Sequence, residues 1–215
     1  MDRQSVPAES MDAAEPLANL LHEPGSLVLD RTFTGALPAG EGMDGVDLEG
    51  CTLRACQWTG SNLQGASFAE CVFVGCNLSG ALLDDVTFRE CELIGTKAMG
   101  VDFSTAQVSS LAAVPMVWRD CGLDYATMAR LDMAGWTFRG CSLRETHLVG
   151  SDLRRTAFIE CDLTGAAIAE CDLREARLID CVGVAVDLRD NRVSGLHVSE
   201  SMAADLLSPF GVITH

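Results

Sequence analysis

Positive charge is scarce in this chain: 15 Lys and Arg stand against 31 Asp and Glu, a net charge of -16 at pH 7. A protein this acidic repels nucleic acid and anionic membrane, and its natural electrostatic partner is a basic surface. Long apolar runs are also missing; no stretch reaches the ~18 residues that a membrane span needs. The start, Met1 to Glu15, is acidic and polar, with neither the cationic end nor the apolar run of a secretory signal. The expectation is therefore a cytoplasmic protein whose ten cysteines are reduced. There is one tyrosine, Tyr125, and no phosphate loop, zinc-ligand spacing or nucleophile elbow. Neither a catalytic centre nor a cofactor or metal is expected.

What the chain does have is a ruler. Cys51, Cys56, Cys71, Cys76, Cys91, Cys121, Cys141, Cys161, Cys171 and Cys181 all fall on one series of step five. Two residues after each lies a second series, Leu48, Leu53, Trp58, Leu63, Phe68 and onward to Val198, in which only Gly183 of 31 members is not apolar. Neither the period of two of a strand nor the 3.6 of a helix returns one face every fifth residue. A square coil does, with five residues per side, four sides per turn and turns stacked at the ~4.8 Å of paired strands. The small residue and the large one two later point inward, and the other three point outward.

This pattern resembles the pentapeptide-repeat family. Cys76-Asn-Leu-Ser-Gly80, Ser151-Asp-Leu-Arg-Arg155, Cys161-Asp-Leu-Thr-Gly165 and Cys171-Asp-Leu-Arg-Glu175 carry the resemblance. It implies an all-β fold, a right-handed quadrilateral β-helix of about eight coils. The β-helix is expected over 26–200, regular from 46, with residues 1–25 as a disordered or loosely packed arm. Near its start Val28, Phe33 and Met43 keep the register while Arg31, Pro38 and Glu41 spoil it. Over 201–215 the register stops, and a short helix is expected at Met202–Leu207, with Ser201 as its N-cap and Pro209 ending it. Met202, Leu206, Leu207, Phe210, Val212 and Ile213 are too many apolar residues to leave in water. They either fold over the last coil or form a homodimer patch, or both.

Read modulo 20, the cysteines form two ladders: Cys51, Cys71 and Cys91 in one, Cys121, Cys141, Cys161 and Cys181 in the other. They are expected as small apolar filler exchangeable with alanine, because stacked Cβ vectors run parallel and suit a disulfide poorly. The inward polar residues Ser61, Thr96, Thr146, Ser151, Thr156 and Asn191 replace alanine in the same way, with Asn191 expected to hydrogen-bond along the stack. Between 96 and 138 the inward small positions swell to Leu111, Met116, Leu131 and Trp136, and two large ones shrink to Ala98 and Ala113. A bulged or kinked coil is expected there.

The same modulo-20 reading places the acids on two opposite sides. One carries Glu70, Glu90, Glu92, Asp132, Asp152, Glu170, Asp172 and Asp190; the other carries Asp102, Asp120, Glu160, Asp162, Asp180 and Glu200. Two acidic columns on a narrow rod are the charge layout of a duplex backbone, although any solenoid wears charge to stay soluble. A rod of roughly 37 Å corresponds to B-DNA with roughly 22 charges, whereas residues 46–200 hold 22 acids and 13 bases. Mimicry would thus lie in shape and local columns. Val74, Ile94 and Val114 also stack outward, with Arg154 and Arg174 below them.

Within the family the chain is similar to the bacterial quinolone-resistance group of Qnr and MfpA type. The segment Gly140 to Arg155 and the tail Ala204-Asp-Leu-Leu-Ser-Pro-Phe-Gly-Val-Ile213 carry this likeness. It implies a dimeric DNA mimic that binds DNA gyrase, a type II topoisomerase, modulates supercoiling and protects it from fluoroquinolones. A generic protein-interaction scaffold and an immunity factor against a gyrase-targeting natural product are the alternatives. With no insertion breaking the five-residue register, the uninterrupted MfpA-like type fits better than the looped Qnr type.

Overall fold

The inward series does build a wall of parallel strands. In the computed structural model, which describes residues 14–22, 25–38, 41–108 and 114–207, the chain winds as a β-solenoid of about nine turns. Each turn has four sides. Side I is centred on Val28, Leu48, Phe68, Phe88 and Val108, and then on Met133, Leu153, Leu173 and Val193. Side II is centred on Phe33, Leu53, Phe73, Leu93, Trp118, Phe138, Phe158, Leu178 and Val198, and forms a ten-stranded parallel sheet with Glu15–Pro16 at its head. Sides III and IV are held by single parallel bridges, such as Gln57↔Asn77 and Thr127↔His147.

The centres of the sides fill the rod. Trp58, Phe68, Phe73, Trp118, Phe138 and Phe158 are at most 1% exposed, and Phe138 and Phe158 stack with centroids 5.0 Å apart. The chain turns most corners through a residue with positive φ. Glycine takes that place at Gly60, Gly80 and Gly100, but Glu70, Glu90, Asp120, Glu160 and Asp180 also occupy it. The acids at the corners therefore hold a strained backbone as well as charge.

The stack contains one enlarged turn. From Phe33 to Val198 the other centres of side II repeat at 20 residues, but Trp118 lies over Leu93, 25 residues on. Lys97↔Gly122 and Asp102↔Thr127 carry the same step onto the next two sides. The additional pentapeptide falls between Val108 and Met116. An insertion of five keeps the five-residue register intact and advances everything after it by one side. It falls in the 96–138 stretch where an irregular coil is expected, of which Leu111 and Ala113 lie outside the described residues, and takes the form of a 25-residue turn in place of 20. Ladders read modulo 20 therefore do not run through it. Cys121, Cys141, Cys161 and Cys181 stand below Cys56, Cys76 and Thr96, in one ladder, while Cys51, Cys71 and Cys91 are continued by Met116.

Both ends differ from the sequence-based expectation. Within the arm expected to be loose over 1–25, Glu15–Pro16 pairs with Phe33–Thr34, and the 3-10 turn Leu17–His22 seats Leu17 and Leu20 with no exposed surface. That cap covers the first coil, where an open edge would invite foreign strands. Arg31, which interrupts the inward register, is tied to Glu15 by an Nε–Oε1 bond of 2.8 Å.

In the last turn the chain takes a short cut. Ile168 pairs with Val186, 18 residues on, while Asp172↔Arg192 returns to 20. Gly183 stands where a large residue would sit; a Cβ there would lie 2.7 Å from the Thr164 backbone nitrogen. The terminal helix spans Glu200–Leu207, beginning two residues earlier than expected. Its first carbonyl acceptor is Ser199, bonded from Met202 N and Ala203 N, so Ser199 rather than Ser201 is the N-cap.

A candidate protein-interaction surface on the outside of the rod

The interior offers hydrogen bonds. All ten thiols are buried and free. Each Sγ points at the carbonyl of the coil above: Cys71 to Leu48 O at 3.5 Å, Cys76 to Leu53 O at 3.2 Å. The donor lies 23 residues after its acceptor, except that Cys121 reaches back 28 residues to Leu93 O at 3.3 Å across the enlarged turn. Ser151 and Thr156 do the same with hydroxyls, at 2.7 and 2.8 Å to Met128 O and Met133 O. Cysteine is thus filler with a weak donor. Burial pushes the Cys91 thiol up to about 12, which leaves it protonated and unreactive. Asn191 bonds along the stack as expected, to Cys171 N at 2.8 Å and Ile168 O at 3.2 Å. Among the described residues no group of His, Cys, Asp and Glu could hold a metal.

The enlarged turn redistributes the acids. Glu70 and Glu90 occupy the corner between sides I and II, within 3.4 and 4.0 Å of Arg89. Glu92 is on side II, 3.1 Å from Arg119 Nε. Asp132, Asp152 and Asp172 form a rung-to-rung column on side I, ending at Arg192, and Glu170 and Asp190 flank it at the corner between sides IV and I. Asp102 is on side IV, where the Ser104 backbone N–H and hydroxyl donate to its Oδ1. Asp120, Glu160 and Asp180 share the corner between sides II and III, with Asp162 beside them on side III and Glu200 opening the terminal helix. The two straight columns of the sequence reading are therefore four shorter groups.

These groups differ in free charge. On side I two of the three aspartates are chelated by the arginine two residues on: Asp152 accepts Arg154 Nε at 2.8 Å, and Asp172 accepts Arg174 Nε at 2.8 Å, while Asp132 accepts the Ala134 backbone N–H at 3.2 Å. Arg192 adds a contact to Asp172 at 3.4 Å. The arginine hydrogen bonds hold both carboxyls below the usual carboxylate range. Asp132, Asp152 and Asp172 set against Arg154, Arg174 and Arg192 leave that column neutral. At the corner between sides II and III the only ion pair among the described residues is Glu160 with Arg139, at 4.0 Å. Asp120 leans over Gly140, where a Cβ would collide with its carboxylate. Asp162 is held below its ordinary value by Thr164 and by Arg144, 2.8 Å away.

Of the expected dimer residues, Met202 and Leu206 are 6% and 7% exposed, packed over Cys181 and Gly183, and Leu207 is half-buried. The helix thus folds over the last coil. Phe210, Val212 and Ile213 lie outside the described residues. The outward apolar ladder expected to include Val114, Arg154 and Arg174 instead runs down side II as Arg54, Val74, Ile94, Arg119, Arg139, Ile159 and Ile179. One signal of the phase change is legible in the string: aromatic centres at Phe33 and Phe73 resume at Trp118, Phe138 and Phe158.

A sealed apolar interior with the described charged side chains on ladders outside defines a solenoid rod. The chain belongs to the pentapeptide-repeat family: a model of the pentapeptide repeat region matches residues 66–148, and pentapeptide repeats match 43–80 and 137–174, together spanning 43–174. No curated protein matches it in sequence. Among solved structures it is similar to trypsin-treated QnrB1, a plasmid-mediated fluoroquinolone resistance protein. Identity is 20%, coverage is 89% of this chain and 92% of that one, and the TM-score is 0.50. HetL, a pentapeptide-repeat protein involved in heterocyst differentiation in the cyanobacterium Nostoc, is 14% identical. It covers 85% of this chain and 92% of its own, with a TM-score of 0.29. At 20% identity the likeness to QnrB1 is one of fold.

Proposed function

We propose that this protein is a DNA-mimicking ligand of DNA gyrase or a related type II topoisomerase, acting in the cytoplasm, modulating the enzyme and protecting it from fluoroquinolones. The observation that carries the reading is the corner between sides II and III, where Asp120, Glu160 and Asp180 stand on three of four consecutive turns of a rigid rod, Gly140 taking the fourth, with little compensating charge. Nine turns at ~4.8 Å make a rod of roughly 40 Å, long enough to lie in a basic groove built for a duplex. The fold it shares with a fluoroquinolone resistance protein supports the same reading. The charge-balanced column of Asp132, Asp152 and Asp172 takes no part; the rod has a working edge rather than two equivalent columns. Homodimerisation through the residues beyond the terminal helix would extend that edge. The reading is tested by titrating the purified protein into gyrase supercoiling and drug-induced cleavage assays. Inhibition of supercoiling or loss of drug-stabilised cleavage is expected; no effect on either at micromolar protein refutes it.

A further inference from the structure

One face of this acidic rod is not acidic. The outward ladder nearest the corner on side II reads, turn by turn, Val74, Ile94, Arg119, Arg139, Ile159, Ile179. Two apolar pairs bracket two exposed arginines. The aliphatic members are half-buried, and the two guanidinium side chains are 54% and 51% exposed. Arg119 spends one donor on Glu92, at 3.1 Å, and Arg139 only grazes Glu160, at 4.0 Å, so most of their five N–H donors each remain open.

We propose that this ladder docks an acidic amphipathic helix of a partner protein, separately from the edge that engages the topoisomerase. Size argues for a single element. Six rungs at ~4.8 Å and a side about 10 Å wide give roughly 240 Å², well below the ~800 Å² per partner of a stable globular interface. Spacing argues for a helix. One turn advances 5.4 Å, close to the rung spacing, whereas same-face residues of an extended chain fall about 6.6 Å apart. Charge complementarity fixes the sequence of the helix face: apolar side chains in the outer turns and two carboxylates in the middle, which form charge-assisted bonds to the arginine pair. A second copy of the ladder is the wrong occupant, because an antiparallel face-to-face pair would set arginine against arginine. So is a duplex, which is wider than the face and would meet Asp120 and Glu160 at the adjoining corner.

The test uses the whole chain and a labelled, alanine-based helical peptide of about 21 residues, with Leu, Leu, Glu, Glu, Leu, Leu on one face at one per turn. A second peptide carries Lys in place of both Glu. By fluorescence anisotropy the parent protein should bind the Glu peptide at least about tenfold more tightly than the Lys peptide. Arg119→Glu with Arg139→Glu should reverse that order. Ile159→Ser with Ile179→Ser should weaken the Glu peptide about tenfold with an unchanged circular dichroism spectrum. The reversal keeps the test valid even if a variant is less stable, since unfolding cannot create a preference for the Lys peptide. Equal affinities, or an order that survives charge reversal, overturn the proposal. Stronger binding of a short DNA duplex overturns it in favour of nucleic acid, and self-association abolished by the isoleucine variants in favour of a second copy. None of these outcomes bears on gyrase inhibition, so the two readings fail independently.

Discussion

At the scale of single residues, the structure separates positions that look alike in the sequence. Gly100 and Gly183 both have positive φ, but a Cβ at Gly100 meets nothing within 4 Å while at Gly183 it meets the Thr164 backbone. Gly100→Ala should cost about 1 kcal/mol, the strain of a left-handed alanine. Gly183→Ala should cost about 2 kcal/mol more, because the short cut of the last turn must open; chemical denaturation of both variants checks the difference. The interior holds a similar contrast. Phe138 packs between Trp118 and Phe158 with every contact satisfied, and Phe138→Ala should cost about 3–5 kcal/mol. Trp118 is as deeply buried, but among the described residues its indole nitrogen is the one buried side-chain polar atom without a partner. Trp118→Phe loses volume and relieves an unmet donor worth about 1–3 kcal/mol, so its melting midpoint should stay close to that of the parent. The chelated aspartates give stability a sign with pH. Asp152 and Asp172 titrate below their ordinary 3.8 when folded. Their contribution is complete above that value and is lost as pH falls through the lower folded one. Asp172→Asn should therefore narrow the stability gap between pH 6 and pH 3, measured by thermal melting.

At the scale of the coil, the five-residue period made the inside and the outside of the rod legible. The residues placed inward as Cys, Leu, Phe or Trp are buried almost throughout, and His147 and His197 face out as expected. The period was blind to one thing: a whole pentapeptide added between Val108 and Met116 changes which side a residue lies on without changing whether it points in or out. Every error in the ladders follows from that. The N-terminal cap was missed for a different reason. Leu17 and Leu20 lie before the register begins, three apart in a polar stretch, and only the open end of the first coil gives them something to bury. The extra side yields a sharp prediction. Rungs on either side of it are already paired, as Leu93↔Trp118 and Lys97↔Gly122 show. Deleting residues 109–113 should therefore restore a 20-residue turn and leave a cooperatively folded rod, within about 2 kcal/mol of the parent. Deleting 144–148, also one pentapeptide, leaves a turn one side short and should abolish the sharp melting transition. Equal melting of the two deletions would contradict the turn assignment.

At the scale of the whole molecule, the proposed function rests on which sides carry uncompensated charge. Composition alone gives a net charge of -16, and the sequence could place acids outward but not decide which were free. That depended on the arginine two residues after Asp152 and Asp172 folding back on its own aspartate, and on the quarter-turn advance that moved Glu70 and Glu90 away from Glu170 and Asp190. The result is a rod with a charge-balanced column, an arginine and isoleucine ladder, and one acidic edge. The most direct measurement is gyrase supercoiling inhibition by two triple variants, Asp120→Lys with Glu160→Lys and Asp180→Lys, and Asp132→Lys with Asp152→Lys and Asp172→Lys. Both sets point outward. The first should raise the concentration for half inhibition by at least about tenfold and flatten its salt dependence, while the second should shift it by less than about threefold. Loss of inhibition by the second set with the first unaffected would contradict the account.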